Sequence, residues 1–324
     1  MKNIKRITAK NAQGLTLVEL MIALVLGLIV IGGVISVLLS NQQTYRTNNA
    51  LSQLQDNART AFELMARDIR QAGSSPCGNT SVTNLLTSLN GVGTDTYIWN
   101  ANTPIQGFDN ATTVTPALSN ALAQSAIVTK GVSEVSAPVL TSAPADCSTG
   151  APLASAPSGI SSGDLVLMCD AGQAYIYQAG AFAGGVLPMA GTTPGNASTS
   201  TGCDTFGQTA YVAQYQPDYW YVAPAGAGAP ANTDSLYRAR LSGVGNNAGS
   251  LVGDEIIRGV IGMQITYLVN GSTAFVNAAS VGTNWANVDA VQVSLTLRSL
   301  TNPNNTNQPE PLVRTFSTTI GIRG

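Results

Sequence analysis

The chain has 324 residues, of which only 10% are charged, and it contains no histidine. Eleven of its 15 basic residues and all 17 acidic residues follow Gly14, so this larger part has six more acids than bases. It lacks the clustered basic side chains that nucleic-acid binding needs, since Lys130 is its only lysine. The length allows one large domain or two smaller ones.

A basic leader precedes a long apolar segment. Four basic residues lie between Lys2 and Lys10, and residues 20–39 follow with Ser36 as the one clearly polar side chain. A helix needs about 20 apolar residues to span the roughly 30 Å of membrane hydrocarbon, and this segment has that length. Because basic residues stay on the cytoplasmic side, the remainder of the chain is predicted to be exported.

Glu19 is unusual because it is a carboxylate at the start of this apolar segment. A charge at the centre of a membrane helix costs about 2.5–3.5 kcal/mol on insertion scales, so such a residue is a functional candidate. The alternative is a carboxylate that only reaches the membrane edge. The cost of a charge within the apolar segment favours a functional role for Glu19.

The sequence GLTLVE, residues 14–19, resembles the type III signal of type IV pilins and pseudopilins. The resemblance implies that a prepilin peptidase cuts after Gly14 and methylates the new amino terminus at Leu15, where the family usually has Phe. It also implies that Glu19, with Thr16 beside it, acts in assembly. The Glu19 carboxylate of an incoming subunit would pair with the terminal amine of a neighbour.

A helical stripe continues beyond the apolar segment. Apolar side chains recur every three or four residues, as one face of a helix requires: Leu51, Leu54, Ala58, Phe62, Met65, Ile69 and Ala72. The opposite face is polar: Gln53, Asp56, Arg59, Glu63, Arg67 and Arg70. Gly73 and Pro76 provide a stop signal. The pattern predicts one helix over residues 15–72, and the alternative is two helices broken near Ser40 and Asn41.

Residues 74–205 are rich in small and loop-forming residues. Two small-residue stretches, 136–163 and 183–202, are predicted to be surface loops because they offer little to bury. Between them, residues 164–178 predict a β-hairpin with strands 164–169 and 174–178.

The four cysteines are Cys77, Cys147, Cys169 and Cys203. No CxxC pair occurs and no histidine is present to complete a zinc site, so no metal and no cofactor are expected. Two structural disulfides in an oxidising compartment fit the predicted export. Three pairings are open, and pairing between sequence neighbours, Cys77 with Cys147 and Cys169 with Cys203, is slightly favoured.

The last third predicts antiparallel strands. Residues 289–299 alternate strictly, with Val291, Val293, Leu295 and Leu297 on one face. Residues 259–277 alternate and then turn at Asn270-Gly271. With residues 313–324 as a closing strand and the segments YWYVAP and SLYRARL, we expect one sheet of four to six strands on the helix stripe.

These patterns define an α+β fold of pilin-like type. A long amino-terminal helical spine, transmembrane and then amphipathic, packs on an antiparallel β-sheet head with long loops. The predicted organisation is a leader, two helix halves, a loop-rich variable region with the hairpin, and the sheet: residues 1–14, 15–39, 40–73, 74–205 and 206–324.

The resemblance extends beyond the signal. The helix after the span, the segment DSLYRARL near Asp234, EIIRGVIGMQITYLVNG and VDAVQVSLTLRS are similar to PilW-type minor pilins and, more distantly, to the large minor pseudopilin of type II secretion. This implies a non-enzymatic subunit that initiates type IV pilus assembly and ends at or near the tip, supporting twitching motility, adhesion or DNA uptake. The implied partners are other minor pilins, the major pilin, prepilin peptidase, the inner-membrane assembly platform and a tip adhesin.

The same resemblance implies a location. The subunit would cross the inner membrane once, with a cytoplasmic amino terminus and a periplasmic head, and would then move to the cell-surface pilus.

Two other classes of function remain as alternatives. In the first, the head itself binds a surface or DNA, with Tyr215, Tyr219, Trp220 and Tyr221 stacking on bases; core packing of these aromatics is the favoured interpretation because no basic groove accompanies them. In the second, the chain is a membrane-anchored enzyme. Asp254-Glu255 is then the candidate acidic pair, although a solvated turn is the preferred interpretation.

Overall fold

The computed structural model describes residues 16–73, 77–78, 82–86, 88–89, 92–93, 103–114, 117–139, 150–189, 196, 206, 209–241, 251–300 and 311–322. The chain divides into two compact units, Met1–Ser52 and Gln53–Gly324.

Helix α1 runs from Leu17 to Gln71 without a break. It begins after Thr16, whose Oγ1 accepts a hydrogen bond from the Glu19 N–H at 3.3 Å. It ends before Gly73, which has a φ of 77° and donates its N–H to the Lys130 carbonyl at 2.7 Å. The single predicted helix is therefore confirmed, and a break near residues 40–41 is wrong.

In the first unit, α1 is exposed along its apolar part. By length and composition it is able to cross a membrane. Polar side chains at the end of this part are satisfied locally: the Thr44 and Thr47 hydroxyls donate to the carbonyls of Ser40 and Gln43, both at 3.0 Å. The helix satisfies its own backbone N–H and C=O groups, as a segment in the hydrocarbon of a membrane must.

In the second unit, the rest of α1 buries the predicted stripe except for Phe62, which is half-buried. Its buried residues are Leu54, Ala58, Ala61, Met65, Ala66 and Ile69. The predicted polar face is exposed throughout. The stripe joins one hydrophobic core with inward residues of two sheets, including Trp220, Leu236, Ile265 and Val293. Helix packing on a sheet head is thus confirmed.

The strands in the described ranges follow in chain order: β1 Thr83–Asn84, β2 Ser88–Leu89, β3 Val92–Gly93, β4 Ile105–Phe108, β5 Ala126–Thr129, β6 Val132–Pro138, β7 Ala151–Pro152, β8 Leu165–Cys169, β9 Ala174–Gln178, β10 Val186–Leu187, β11 Tyr211–Tyr215, β12 Asp218–Pro224, β13 Asp234–Leu241, β14 Leu251–Arg258, β15 Val260–Val269, β16 Val288–Arg298 and β17 Val313–Gly321. A short helix α2, Ala278–Val281, and two 3-10 turns, Ala111–Thr113 and Asn284–Asn287, complete the elements of these ranges.

The described strands form more than one sheet. The orders are β1-β9-β8-β11-β6, β14-β13-β12-β5-β4 and β15-β16-β17, with the small pairs β7-β10 and β2-β3. All strand pairs among them are antiparallel except β1 with β9.

The prediction of one sheet in the last third is wrong because the chain changes sheets at Gly259. This glycine has a φ of 86°, donates its N–H to the Asp234 carbonyl at 2.8 Å and accepts from the Arg298 N–H at 2.7 Å. It therefore ends the pairing of β14 with β13 and begins that of β15 with β16. A Cβ at this position would collide with the Arg298 carbonyl oxygen, so glycine fits here.

The alternation predicted for β16 is confirmed, because Val291, Val293, Leu295 and Leu297 are all 0% exposed. The neighbouring strand β15 follows its predicted face from Met263 to Tyr267, and a second register shift precedes Val269. A register shift between Val260 and Gly262 turns Val260 inward in place of Ile261. Such a bulge inserts one residue into a strand and reverses the alternation beyond it.

The hairpin predicted at residues 164–178 is present as β8 and β9, with Cys169 opposite Ala174. At its turn the Asp170 Oδ1 accepts from the N–H groups of Gly172 and Gln173 at 2.8 and 2.9 Å. An Asx turn of this kind offers the backbone a local acceptor.

The surface-loop prediction for the two small-residue stretches is wrong for part of their described residues. Ala151 and Leu187 belong to the pair β7-β10 and are 0% and 1% exposed. Leu153 and Ile160 also join a hydrophobic core with β8 and β9. Small residues allow this close approach, since a Cβ at Gly150 would collide with the Leu187 backbone.

Candidate functional site

The amino-terminal assembly segment is described from Thr16 onward. Thr16 caps α1, and Glu19 lies in its first turn with an exposed side chain. A Thr followed three residues later by Glu is the pattern of a capping box, and a carboxylate is stabilised at the positive end of a helix dipole. Gly14 and Leu15, the predicted cleavage and methylation residues, lie outside the described residues.

A charged cluster in the second unit ties α1 to the sheet of β12 and β13. It consists of Asp68 on α1, Asp218 and Trp220 on β12, and Arg238 and Arg240 on β13. The strand register places Trp220 opposite Arg238 and Asp218 opposite Arg240. Cross-strand pairs of this kind are the basic unit of sheet stabilisation.

The carboxylate of Asp68 is the centre of this cluster. Its Oδ2 accepts a hydrogen bond from the Trp220 Nε1–H at 2.9 Å and lies 3.6 Å from Arg238 Nη1. The Arg238 guanidinium also lies 5.7 Å from the centroid of the Trp220 ring, which is cation–π geometry. One helix carboxylate thus contacts two residues of the sheet, and this fixes the rotation of the helix on it.

The second carboxylate of the charged cluster, Asp218, accepts from Arg240 Nε at 3.2 Å. Burial, together with the nearby charge of Asp68, raises the pKa of Asp218 to about 6. Burial also raises the pKa of Asp68, and the Arg238 charge opposes that rise. Removing one partner of a buried carboxylate–arginine pair strongly destabilises the fold, because the other charge is left buried and uncompensated.

A cavity of about 540 Å³ lies beside the charged cluster, lined among others by Gln71, Lys130 and Gln216. Lys130 is only 1% exposed, and its Nζ donates to the Thr103 hydroxyl. Burial lowers the pKa of the Lys130 ammonium to about 7. An ammonium that loses its hydration in the interior favours the neutral amine.

The sequence patterns missed the charged cluster. Asp68 follows Met65 of the stripe by three residues and precedes Ala72 by four, so its carboxylate lies on the buried side of α1. Arg238 and Arg240 stand two apart in a strand, so both side chains point to one face. A carboxylate on an apolar stripe, facing a strand with two alternate arginines, is the signal that would have indicated an ion pair.

The structure joins Cys77 to Cys169 by a disulfide with a Cα–Cα distance of 5.9 Å. The favoured pairing of sequence neighbours is therefore wrong. The reason is topological: β1 lies parallel to β9, and β9 pairs with β8, whose last residue is Cys169. This pairing brings together two cysteines that are 92 residues apart. Cys147 and Cys203 lie outside the described residues.

The aromatic residues considered for base stacking are core residues, which confirms the favoured interpretation. Tyr215, Tyr219, Trp220 and Tyr221 are between 0% and 3% exposed. Base stacking needs an exposed aromatic face, and these four rings offer none.

The acidic pair Asp254-Glu255 lies in strand β14, so the predicted turn is wrong, although Asp254 is exposed to solvent as expected. Glu255 accepts hydrogen bonds from Arg258 Nε at 3.0 Å and from the Ser235 hydroxyl at 2.7 Å. The Arg258 hydrogen bond is the main cause that lowers the pKa of Glu255. These contacts give the Glu255 carboxylate a structural role, in which it holds the Ser235 and Arg258 side chains. In the described part of the chain, no group of three or more histidine, cysteine or acidic side chains is arranged to hold a metal ion.

Comparison with known families gives two matches. A family model described as Type IV Pilus-assembly protein W matches residues 219–322, from β12 to the end of β17. A model described as Prokaryotic N-terminal methylation motif matches residues 9–35, which include Thr16 and Glu19. Comparisons with curated proteins and with solved structures found no match.

Proposed function

We propose that the chain is a PilW-type minor pilin of a type IV pilus system, which helps to initiate pilus assembly and stays at or near the pilus tip. The matches to the PilW model and to the amino-terminal methylation motif support this proposal. Membrane anchoring and association with other pilins follow from this family. The proposal also includes amino-terminal processing, a single membrane topology, the tip position and the absence of enzymatic activity.

The observation that carries the proposal is the position of Glu19. It lies in the first turn of an apolar helix, as the fifth residue after the proposed cleavage site between Gly14 and Leu15. Cleavage would create an ammonium at Leu15. A carboxylate and an ammonium from neighbouring subunits attract strongly in the low dielectric of a filament core, whereas either charge alone is costly there.

The charge distribution supports a single orientation in the inner membrane. All four lysine and arginine residues of the leader precede Gly14. Such residues remain on the cytoplasmic side, so this charge distribution supports a periplasmic head. The disulfide between Cys77 and Cys169 suits that oxidising compartment.

The size of the head supports the tip position. The second unit, Gln53–Gly324, contains two five-stranded sheets and a three-stranded sheet within its described residues. A subunit repeated along a shaft must fit its head between copies of itself, whereas a tip subunit has open space on one side. The proposed partners are therefore other minor pilins below the head and an adhesin above it, with the assembly platform acting before export. The same subunit would serve motility, adhesion or DNA uptake through the pilus, with no direct nucleic-acid contact.

The test compares Glu19→Leu with a matched control, Glu63→Leu, which removes an exposed carboxylate from the same helix. We expect both variants to insert and to be cleaved. We expect Glu19→Leu to be depleted at least tenfold from sheared pili, since an unpaired buried ammonium costs more than about 1.4 kcal/mol. Glu63→Leu should remain at the wild-type level.

The readout is mass spectrometry of the amino-terminal peptide from membranes and from sheared pili. A methylated peptide beginning at Leu15, present in pili at a small fraction of the main subunit, supports both processing and the minor role. An intact Met1 in pili would contradict the processing step. Normal incorporation of Glu19→Leu would contradict the pairing.

A further inference from the structure

The last strand, β17, is an edge of the three-stranded sheet, with β16 on one side. Its pairing follows from two hydrogen bonds at its ends: the Ile322 N–H donates to the Asp289 carbonyl and the Ser299 N–H donates to the Leu312 carbonyl, both at 2.9 Å. In an antiparallel pair, hydrogen-bonded residues alternate with residues whose backbone groups point away. The even-numbered residues of β17 therefore bond to β16, and the odd-numbered residues point outward.

We define the open edge as Thr315, Ser317, Thr319 and Gly321. The N–H and C=O groups of these four residues have no hydrogen-bond partner among the described residues. The edge begins after Val313, because the Arg314 side chain donates to the Val313 carbonyl at 3.0 Å. The Ser317 and Thr315 hydroxyls do not bond to the open edge either, since they pair with Ser294 and Thr296 of β16 at 2.7 and 2.9 Å.

The open edge lacks the features that normally prevent strand addition. Exposed edges are usually protected by charged side chains, proline or a bulge. The edge strand β14 has such protection, with Asp254, Glu255 and Arg258 and a shift in its register with β13. Strand β17 has an unshifted register over its nine residues and carries no charge or proline from Thr315 to Gly321.

The inward face of β17 is also incomplete. Phe316 and Ile322 pack against the main hydrophobic core but remain only half-buried, whereas Ile320 between them is 1% exposed. A strand added beside β17 would lie about 4.8 Å away and would place alternate side chains next to Phe316 and Ile322. Apolar side chains on that face would extend the core, and uncharged polar side chains would match the hydroxyls of the outer face.

We propose that the open edge of β17 binds a β-strand of a different pilus subunit, with apolar side chains on one face and uncharged polar side chains on the other. This inference rests on the proposed function, because a tip subunit present once in a filament has no second copy beside it. Main-chain hydrogen bonds give affinity in strand addition, and alternate side chains give specificity. The β-sheet would then continue from one subunit into the next.

The first experiment compares two substitutions at Ser317 in the full chain, expressed in cells with the remaining pilins of the same pilus. Ser317→Pro removes one outward N–H and places a ring at the edge, whereas Ser317→Ala keeps the N–H and loses the same hydroxyl. Proline is tolerated on edge strands at an outward position. We expect co-purification of one other pilin to fall at least tenfold for Ser317→Pro and less than twofold for Ser317→Ala.

The second experiment does not depend on proline. A photo-crosslinking amino acid is placed at Thr319 on the open edge or at Thr266 on β15, which lies on the same outer face two strands away. We expect a cross-link to another pilin from position 319 and none from position 266. The melting temperature of each purified full chain in detergent shows whether its fold is intact.

Four results would overturn the inference. In the first experiment, the result is equal co-purification of both Ser317 variants, or a loss of binding by Ser317→Pro that is explained by a lower melting temperature of that variant. In the second experiment, it is equal cross-linking from positions 266 and 319, or a cross-link from position 319 to a second copy of this chain. If the wild-type chain co-purifies with no other pilin, both the proposed function and this inference fail. If it does co-purify and the Ser317 variants behave alike, the inference alone fails.

Discussion

We predict that Lys130 makes the free energy of unfolding of the head rise with pH, and that Lys130→Met removes this dependence. Its ammonium is buried in the second unit, and burial lowers its pKa to about 7 from an ordinary value of 10.5. The chain has no histidine, and Lys130 is its only lysine after Gly14. Between about pH 7 and pH 9.5 unperturbed carboxyl and arginine groups do not titrate and tyrosines begin to do so only at the upper end, so Lys130 dominates the response of the head.

The sign follows from proton binding in the two states. Above pH 7 the folded chain has mostly lost the Lys130 proton, whereas the unfolded chain keeps it until about pH 10.5. The unfolded state binds more protons, so the free energy of unfolding rises with pH in this interval and falls as the pH drops through 7. At 1.36 kcal/mol per pH unit, the rise from pH 7 to pH 9.5 is about 3 kcal/mol.

The assay is denaturant unfolding of the full chain in detergent at several pH values, followed by tryptophan fluorescence. Wild type should gain about 3 kcal/mol from pH 7 to pH 9.5, and Lys130→Met should gain less than about 1 kcal/mol. Methionine has a similar length and no charge, so it keeps the packing while it removes the titration. The same slope in both proteins, or a wild-type stability that falls with pH, would refute the buried ammonium as the cause.

Two further predictions concern the core and the disulfides. Met65→Ala empties a position of the helix stripe that is 0% exposed, so we expect a loss of about 2–5 kcal/mol in denaturant unfolding, and a loss below about 1 kcal/mol would contradict the packing of α1 on the sheets. Peptide mapping without reduction should recover a fragment that joins Cys77 to Cys169. With these two joined, we expect Cys147 and Cys203 to be recovered as a second linked pair, and a fragment that joins Cys77 to Cys147 would contradict this prediction.

The regular elements were predictable because their side chains follow one period for many residues. The stripe from Leu54 to Ile69 repeats at helical intervals, and Val291 to Leu297 alternate strictly in β16. Both patterns bury one face of a long element, so neighbours have little influence on the assignment. Glu19 was predictable for a different reason, because a carboxylate at the start of a membrane helix is costly wherever the rest of the chain lies.

The arrangement of these elements was less predictable because it depends on contacts between distant residues. The change of sheet at Gly259 needs hydrogen bonds to both Asp234 and Arg298, and neither is near it in sequence. The disulfide from Cys77 to Cys169 requires β1 to lie beside β9. Composition predicted surface loops where small residues in fact pack closely, as at Ala151. A lack of large apolar side chains therefore does not exclude burial.

The start of α1 connects local helix chemistry with assembly. Thr16 accepts the Glu19 N–H, so the first turn is capped before the apolar part begins. The carboxylate of Glu19 stands at the positive end of the helix dipole, which offsets part of its cost in an apolar environment. Under the proposed processing, the ammonium at Leu15 would lie within one turn of the same carboxylate. A subunit in the membrane would then satisfy both charges locally, and docking would exchange this local pair for one between neighbours. In a Glu19→Leu subunit the ammonium could still be hydrated at the membrane surface but would have no partner in the filament core, so apolar packing along α1 would drive docking and the charge pair would fix its register.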